Sequence, residues 1–120
     1  MKMLRFKHLL ATGALLVSGC SDPANNPSAA SEAASRELQP ASTELAAIYN
    51  RSCRSCHTVV ATGSPLTGDT AAWAPRMDKG MGAMVDSVVN GFGGMPPFGL
   101  CMDCNVEQFE ALITFMATGE

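Results

Sequence analysis

Cys53-Arg54-Ser55-Cys56-His57 gathers two thiols and an imidazole into five consecutive residues. No other feature constrains the fold as much, because whatever these groups hold must sit inside the domain that carries them. That domain is small. If it runs from about Thr43 to Glu120 it has fewer than eighty residues, and chains of this length rarely stand on an apolar core alone. Few aromatics, many glycines and two Cys-x-x-Cys pairs, Cys53/Cys56 and Cys101/Cys104, point to a fold held by staples or a prosthetic group.

The residues ahead of the domain have a different purpose. Lys2, Arg5 and Lys7 precede the apolar run Leu9–Val17, which is too short to span a bilayer, and Ser18-Gly19 follow. Residues 1–19 thus have the form of a secretory signal. Leu15-Leu16-Val17-Ser18-Gly19-Cys20 resembles the lipobox of bacterial lipoproteins. That resemblance implies lipidation of Cys20, a durable anchor and a place on the periplasmic side of a bacterial membrane. Residues 20–42 then form the lipidated N-terminus and a tether rich in Ala, Ser, Pro and Asn, with too little apolar surface to offset its chain entropy. As a coil it spans roughly 25 Å. Without residues 1–19 the chain keeps five basic residues against eleven acidic ones, which argues against a nucleic-acid partner.

Periodicity predicts an all-α domain over residues 43–120, with about four short helices and no strand. Ser42 or Thr43 caps a helix bearing Leu45, Ile48 and Tyr49, which leads straight into Cys53. Thr58–Asp69 reads as loop. A short helix is expected over Pro75–Lys79, with the proline in its first turn and Gly80 ending it. Met81, Met84, Val85, Val88 and Val89 line the next helix, which Asn90-Gly91 stops. Asn105 and Gln108 form a capping-box pattern ahead of the stripe Val106, Phe109, Leu112, Ile113, Met116.

Three chemistries compete for the thiol–imidazole cluster. A zinc site would need all four cysteines, but the gap between the pairs exceeds the usual spacing and an oxidising compartment favours disulfides. A thioredoxin-like redox pair needs a βαβ setting, which is missing. Covalent haem attachment uses all three groups: both thiols add to haem vinyls and the adjacent histidine lies under the iron. One such motif means one haem c. With His8 lost in the signal, His57 is the remaining histidine, so the second axial ligand within this chain comes from Met77, Met81, Met84, Met95, Met102 or Met116. Met81, Met84 and Met116 fall on apolar helix faces, Met77 lies in a short helix, and Met102 sits between two cysteines. Met95 precedes Pro96-Pro97, which favour an extended backbone, and follows glycines that allow close approach to a flat ligand. Met95 is the predicted ligand. His/Met ligation raises the potential and closes the iron, as an electron carrier requires.

Tyr49–His57, Ala71–Met81 and Met95–Cys104, with the closing helix, together resemble the cytochrome c5 family of bacterial class I c-type cytochromes. The resemblance covers about Leu45 to Thr118 and implies the class I cytochrome c fold wrapped round one covalent haem. It places Cys53 and Cys56 on the haem, His57 and Met95 on the iron, and a disulfide between Cys101 and Cys104. It also implies crossing first and last helices, with Tyr49 or Leu45 touching Phe109 or Ile113. The disulfide is reasonable outside the cytoplasm, and its short loop limits the chain-entropy gain to about 2 kcal/mol; it would brace the Met95 loop against the last helix. Trp73 and Arg76 fall near the haem in this family, where a propionate hydrogen bond competes with a core tryptophan and a solvated arginine. Phe98 departs from the family's frequent lysine, making the haem-edge surface less basic.

The expected function is single-electron transfer between a respiratory-chain donor and acceptor by a lipid-anchored monohaem cytochrome, not an enzyme. The alternatives are a haem enzyme or a gas or redox sensor with a labile Met95, and a cytochrome subunit of a larger oxidase or dehydrogenase.

Overall fold

The computed structural model describes residues 29–120. The signal over residues 1–19, Cys20 and the first part of the tether lie outside them. The described chain folds into helices α1 (Ala29–Glu37), α2 (Thr43–Ile48), α3 (Arg54–His57), α4 (Thr70–Met77), α5 (Met81–Asn90) and α6 (Val106–Thr118). Extended pairing among the described residues is confined to an isolated antiparallel bridge between Phe92 and Met95. None of their helices is long and apolar enough to cross a membrane.

Local signals place most of these elements. The Ser42 hydroxyl accepts the Leu45 N–H at 3.3 Å and starts α2. One π-helical turn, Tyr49–Cys53, then carries the chain into α3 without a break. Its extra residue per turn rotates the helix face: Ile48 and Tyr49 are buried in the core while Cys53 and His57 face a neighbouring cavity. Asn105 and Gln108 exchange the reciprocal bonds of a capping box at 2.8 and 3.0 Å and start α6. Gly91 stops α5.

The core lies between α2, α4, α5 and α6. Tyr49 is wholly buried; its ring meets Phe115 edge-on, with centroids 5.0 Å apart, and its hydroxyl pairs with Thr67 Oγ1 at 2.9 Å. The aromatic partner of Tyr49 is therefore Phe115. Gln108 of α6 also donates to Glu44 of α2 at 2.7 Å, so α2 and α6 are joined at the surface as well.

Two expectations change. Pro75 stands sixth in α4 rather than in a first turn. Asp69 starts the helix by accepting the Ala72 N–H at 3.0 Å, and this cap, with buried Trp73, offsets the one ladder bond that proline removes. The tether is also shorter than residues 20–42. Its Ala/Ser-rich stretch forms α1, and buried Ser35 and partly buried Leu38 pack onto the domain. Alanine favours helix, and small side chains allow close approach, so few large apolar residues are needed.

Candidate haem site

His57 is 8% exposed, and its Nδ1 lies 2.8 Å from the Pro65 carbonyl oxygen. A carbonyl can only accept, so Nδ1 carries the proton and Nε2 keeps its lone pair. Burial pushes the imidazole below its ordinary pKa against the opposing pull of that hydrogen bond, with Arg76 adding to the lowering. The ring is thereby held neutral, in the tautomer a metal needs. Thr67 N–H donates to the His57 carbonyl at 2.7 Å, so the loop Pro65–Thr67 grips both the ring and the backbone of His57.

One cavity is lined by His57, Cys53 and Met95 together with Val88, Phe98, Phe109, Leu112, Ile113 and Met116. Burial pushes the Cys53 thiol up to about 11, while Cys56 is exposed one helical turn on. Met95 is held in its loop by reciprocal backbone bonds with Phe92 at 2.9 and 3.1 Å. A side chain at Gly91 would stand 2.9 Å from the Met95 carbonyl and 3.0 Å from the Pro97 nitrogen, so the loop needs glycine there. Met116, assigned to the core by periodicity, lines the same cavity from α6. It shares that wall with Phe109, Leu112 and Ile113 and is fixed by the helix, whereas Met95 comes from an irregular loop.

Cys101 and Cys104 form a disulfide. Their sulfurs are thus unavailable for a four-thiolate zinc site, and Cys53 and Cys56 remain free. The disulfide loop is tied to the π turn as well as to α6. Arg51 reaches Asp103 at 2.9 and 3.0 Å and Cys101 Sγ at 3.3 Å, and holds the Asp103 carboxyl below its usual range. Nothing in the sequence pattern flagged this pairing across 52 positions.

Trp73 donates its indole N–H to the Leu66 carbonyl at 2.8 Å and stacks near His57, with centroids 5.6 Å apart. Its polar atom is used inside the protein, so Trp73 supports the histidine rather than reaching for a propionate. Arg76 donates to the Ala72 carbonyl of its own helix. Phe98 is partly buried and lines the cavity wall. Among described residues the exposed large apolar side chains are Phe92, Leu100, Met102 and Val106, all within the segment around the Met95 loop.

The donors suit haem. The Cys53 thiol, a neutral imidazole with a free Nε2, a thioether and an apolar wall meet at one cavity, with the exposed Cys56 thiol one helical turn from Cys53, and this set defines a c-type cytochrome. The comparisons agree. Residues 40–116 match the family described as cytochrome C oxidase, cbb3-type, subunit III. Cytochrome c5 of Ectopseudomonas mendocina is 35% identical over 72 residues, covering 58% of this chain and 83% of that protein. A mono-heme ferrocytochrome c from Shewanella putrefaciens aligns with a TM-score of 0.57 and 42% identity, over 63% of this chain and 94% of that one. A chain from an electron transfer complex of nitrite reductase with cytochrome c aligns with a TM-score of 0.54 and 31% identity, over 68% and 95%. The chain belongs to the class I monohaem c-type cytochromes and is c5-like among them. It has the class I cytochrome c fold, and its cofactor is covalently bound haem c.

Proposed function

We propose that this protein is a closed single-electron carrier in which Cys53 and Cys56 hold the haem covalently and His57 and Met95 are the axial ligands. The observation that carries this reading is the Nδ1 bond of His57 to Pro65, which leaves Nε2 as its free donor in a cavity that Met95 also lines. When bound, the haem supplies a ferric/ferrous couple. With the haem bound, His57 and Met95 would be its iron ligands, the Pro65 carbonyl would keep the imidazole in its neutral tautomer and the apolar wall would exclude water. The lipobox-like Cys20 supports a membrane-anchored carrier on the periplasmic side, tethered close to its donor and acceptor.

Absorption spectra of the purified protein, oxidised and reduced, with and without carbon monoxide, test the ligation. A low-spin c-type spectrum with a methionine-to-iron band, indifferent to carbon monoxide, is expected. A high-spin iron that takes up carbon monoxide readily would remove Met95 from the iron. The intact mass of the same preparation checks the anchor: acyl chains on residue 20 are expected, and a mature chain without them would leave a freely diffusing carrier.

A redox protein is the fitting partner, as nitrite reductase is for the similar cytochrome in its complex. The apolar exposure of Phe92, Leu100 and Met102 favours docking by desolvation over docking by a lysine ring. Electron transfer to nitrite reductase, used as a probe, should change less than about threefold between about 0.01 and 0.15 M salt. The double change Leu100→Glu and Met102→Glu should slow it about tenfold or more. A steep salt dependence with no effect of the glutamates would reject the apolar surface.

A further inference from the structure

Helix α1 lies ahead of residue 40, where the match to the cytochrome family begins. It is nonetheless bonded directly to the haem-binding turn. Ser35, 2% exposed, donates its hydroxyl at 3.2 Å to the His57 carbonyl, the same oxygen that accepts Thr67 N–H. Glu32 accepts the backbone N–H of Val60 at 2.7 Å, just past the turn. Arg54, between the two haem-binding cysteines, donates to the Arg36 carbonyl at 2.6 Å, at the end of α1 where helix carbonyls lack internal partners. Leu38 then packs beside Gly68, so closely that a Cβ there would stand 2.6 Å from Leu38 Cδ1.

These contacts converge on one function. The ring and backbone of His57 are held by the loop Pro65–Thr67, which has no regular secondary structure of its own. A ligand is oriented only as firmly as the groups that hold it. Leu38 backs that loop at Gly68, and Ser35 ties the His57 carbonyl directly to α1. We propose that α1 is a positioning element for the haem's histidine: Ser35 and Glu32 lock the carbonyl end of the Cys53–His57 turn while Leu38 supports the loop that grips the imidazole. The proposal rests on the reading of His57 as an axial ligand. Neither Ser35 nor Glu32 touches the haem; both act through His57 and Val60. It follows that the N-terminal arm joins the domain on the histidine side, so the orientation of this ligand depends on residues outside the family's matched core.

The test uses full-length, haem-loaded protein and the variants Ser35→Ala, Glu32→Ala and their combination, with Ser35→Thr as the conservative rescue. Amide hydrogen exchange is read at Val60 and Thr67, and the His57 ring-proton resonances are read in the ferric state. The double variant should exchange about tenfold faster at those two amides, in keeping with the loss of a hydrogen bond that anchors a local unit. The His57 ring resonances should shift or broaden, and Ser35→Thr should restore the Thr67 protection. Wild-type resonances at His57 in a variant that merely melts earlier would overturn the proposal, as would exchange that rises evenly along the chain. Wild-type protein in which the His57 ring shows no iron-shifted resonances would instead reject the ligation on which the proposal rests, and the exchange data alone would then report on α1 as a structural helix.

Discussion

Replacing Met95 by alanine is expected to turn a closed, low-spin haem iron into one that binds carbon monoxide readily, whereas Met116→Ala leaves the iron closed and weakens the fold. Both thioethers line the cavity, so the contrast separates a ligand from a wall. Met116 is 4% exposed on α6 and shares its face with Leu112 and Ile113, so its loss leaves a void costing about 2–5 kcal/mol. Met95 sits in a loop set by the Phe92 bridge and by Gly91. If the methionine-free state is about 1% populated in the wild type, removing the side chain should raise carbon monoxide affinity about a hundredfold. Spectra and carbon monoxide titrations of both variants check this. A carbon monoxide-sensitive Met116→Ala beside an unchanged Met95→Ala would exchange the two assignments.

The second large effect concerns the haem as part of the core. The double change Cys53→Ser and Cys56→Ser should yield a chain that holds no haem through acid extraction and shows no cooperative melting transition. Val88, Phe109, Leu112, Ile113 and Met116 belong to the core and also line the cavity, so the walls of the haem site and the core of the domain are the same side chains. A domain this small has only about 5–15 kcal/mol of net stability, and the loss of so central a contact is comparable to that. Helical signal in the far ultraviolet should persist in part, because Ser42, Asp69 and Asn105 still cap their helices. Circular dichroism against temperature decides the matter. A variant melting cooperatively within about 5 °C of the wild type would show that the core stands without its cofactor.

Local chemistry was legible in the sequence where it depends on a few neighbouring residues. The Asn105/Gln108 box, the Gly91 stop and the α6 stripe Phe109, Leu112, Ile113, Met116 are such features, and the structure carries each of them, whereas Val106, read as part of that stripe, is exposed. The kind of cofactor was legible for the same reason, because the Cys-x-x-Cys-His spacing points to covalent haem c and the family carries it. Pro75 misled because a proline marks a first turn only when no stronger cap lies upstream, and Asp69 is that cap. For Phe98, sequence position says nothing about direction. Its backbone takes φ +59°, a left-handed conformation uncommon for such a residue, and the ring packs inward on the cavity wall.

The sequence by itself determined the all-helical class and the kind of cofactor, because those follow from bonding rules that act over a few positions. Only the tertiary structure decided how His57 is held. Its proton is placed by Pro65, its carbonyl is shared between Thr67 and Ser35, and Arg51 joins the π turn to Asp103. Nor does composition identify α1 as part of the domain. Its Ala/Ser surface has little apolar area to bury alone, and it is stabilised by fitting small side chains against a turn that exists once the rest of the chain has folded.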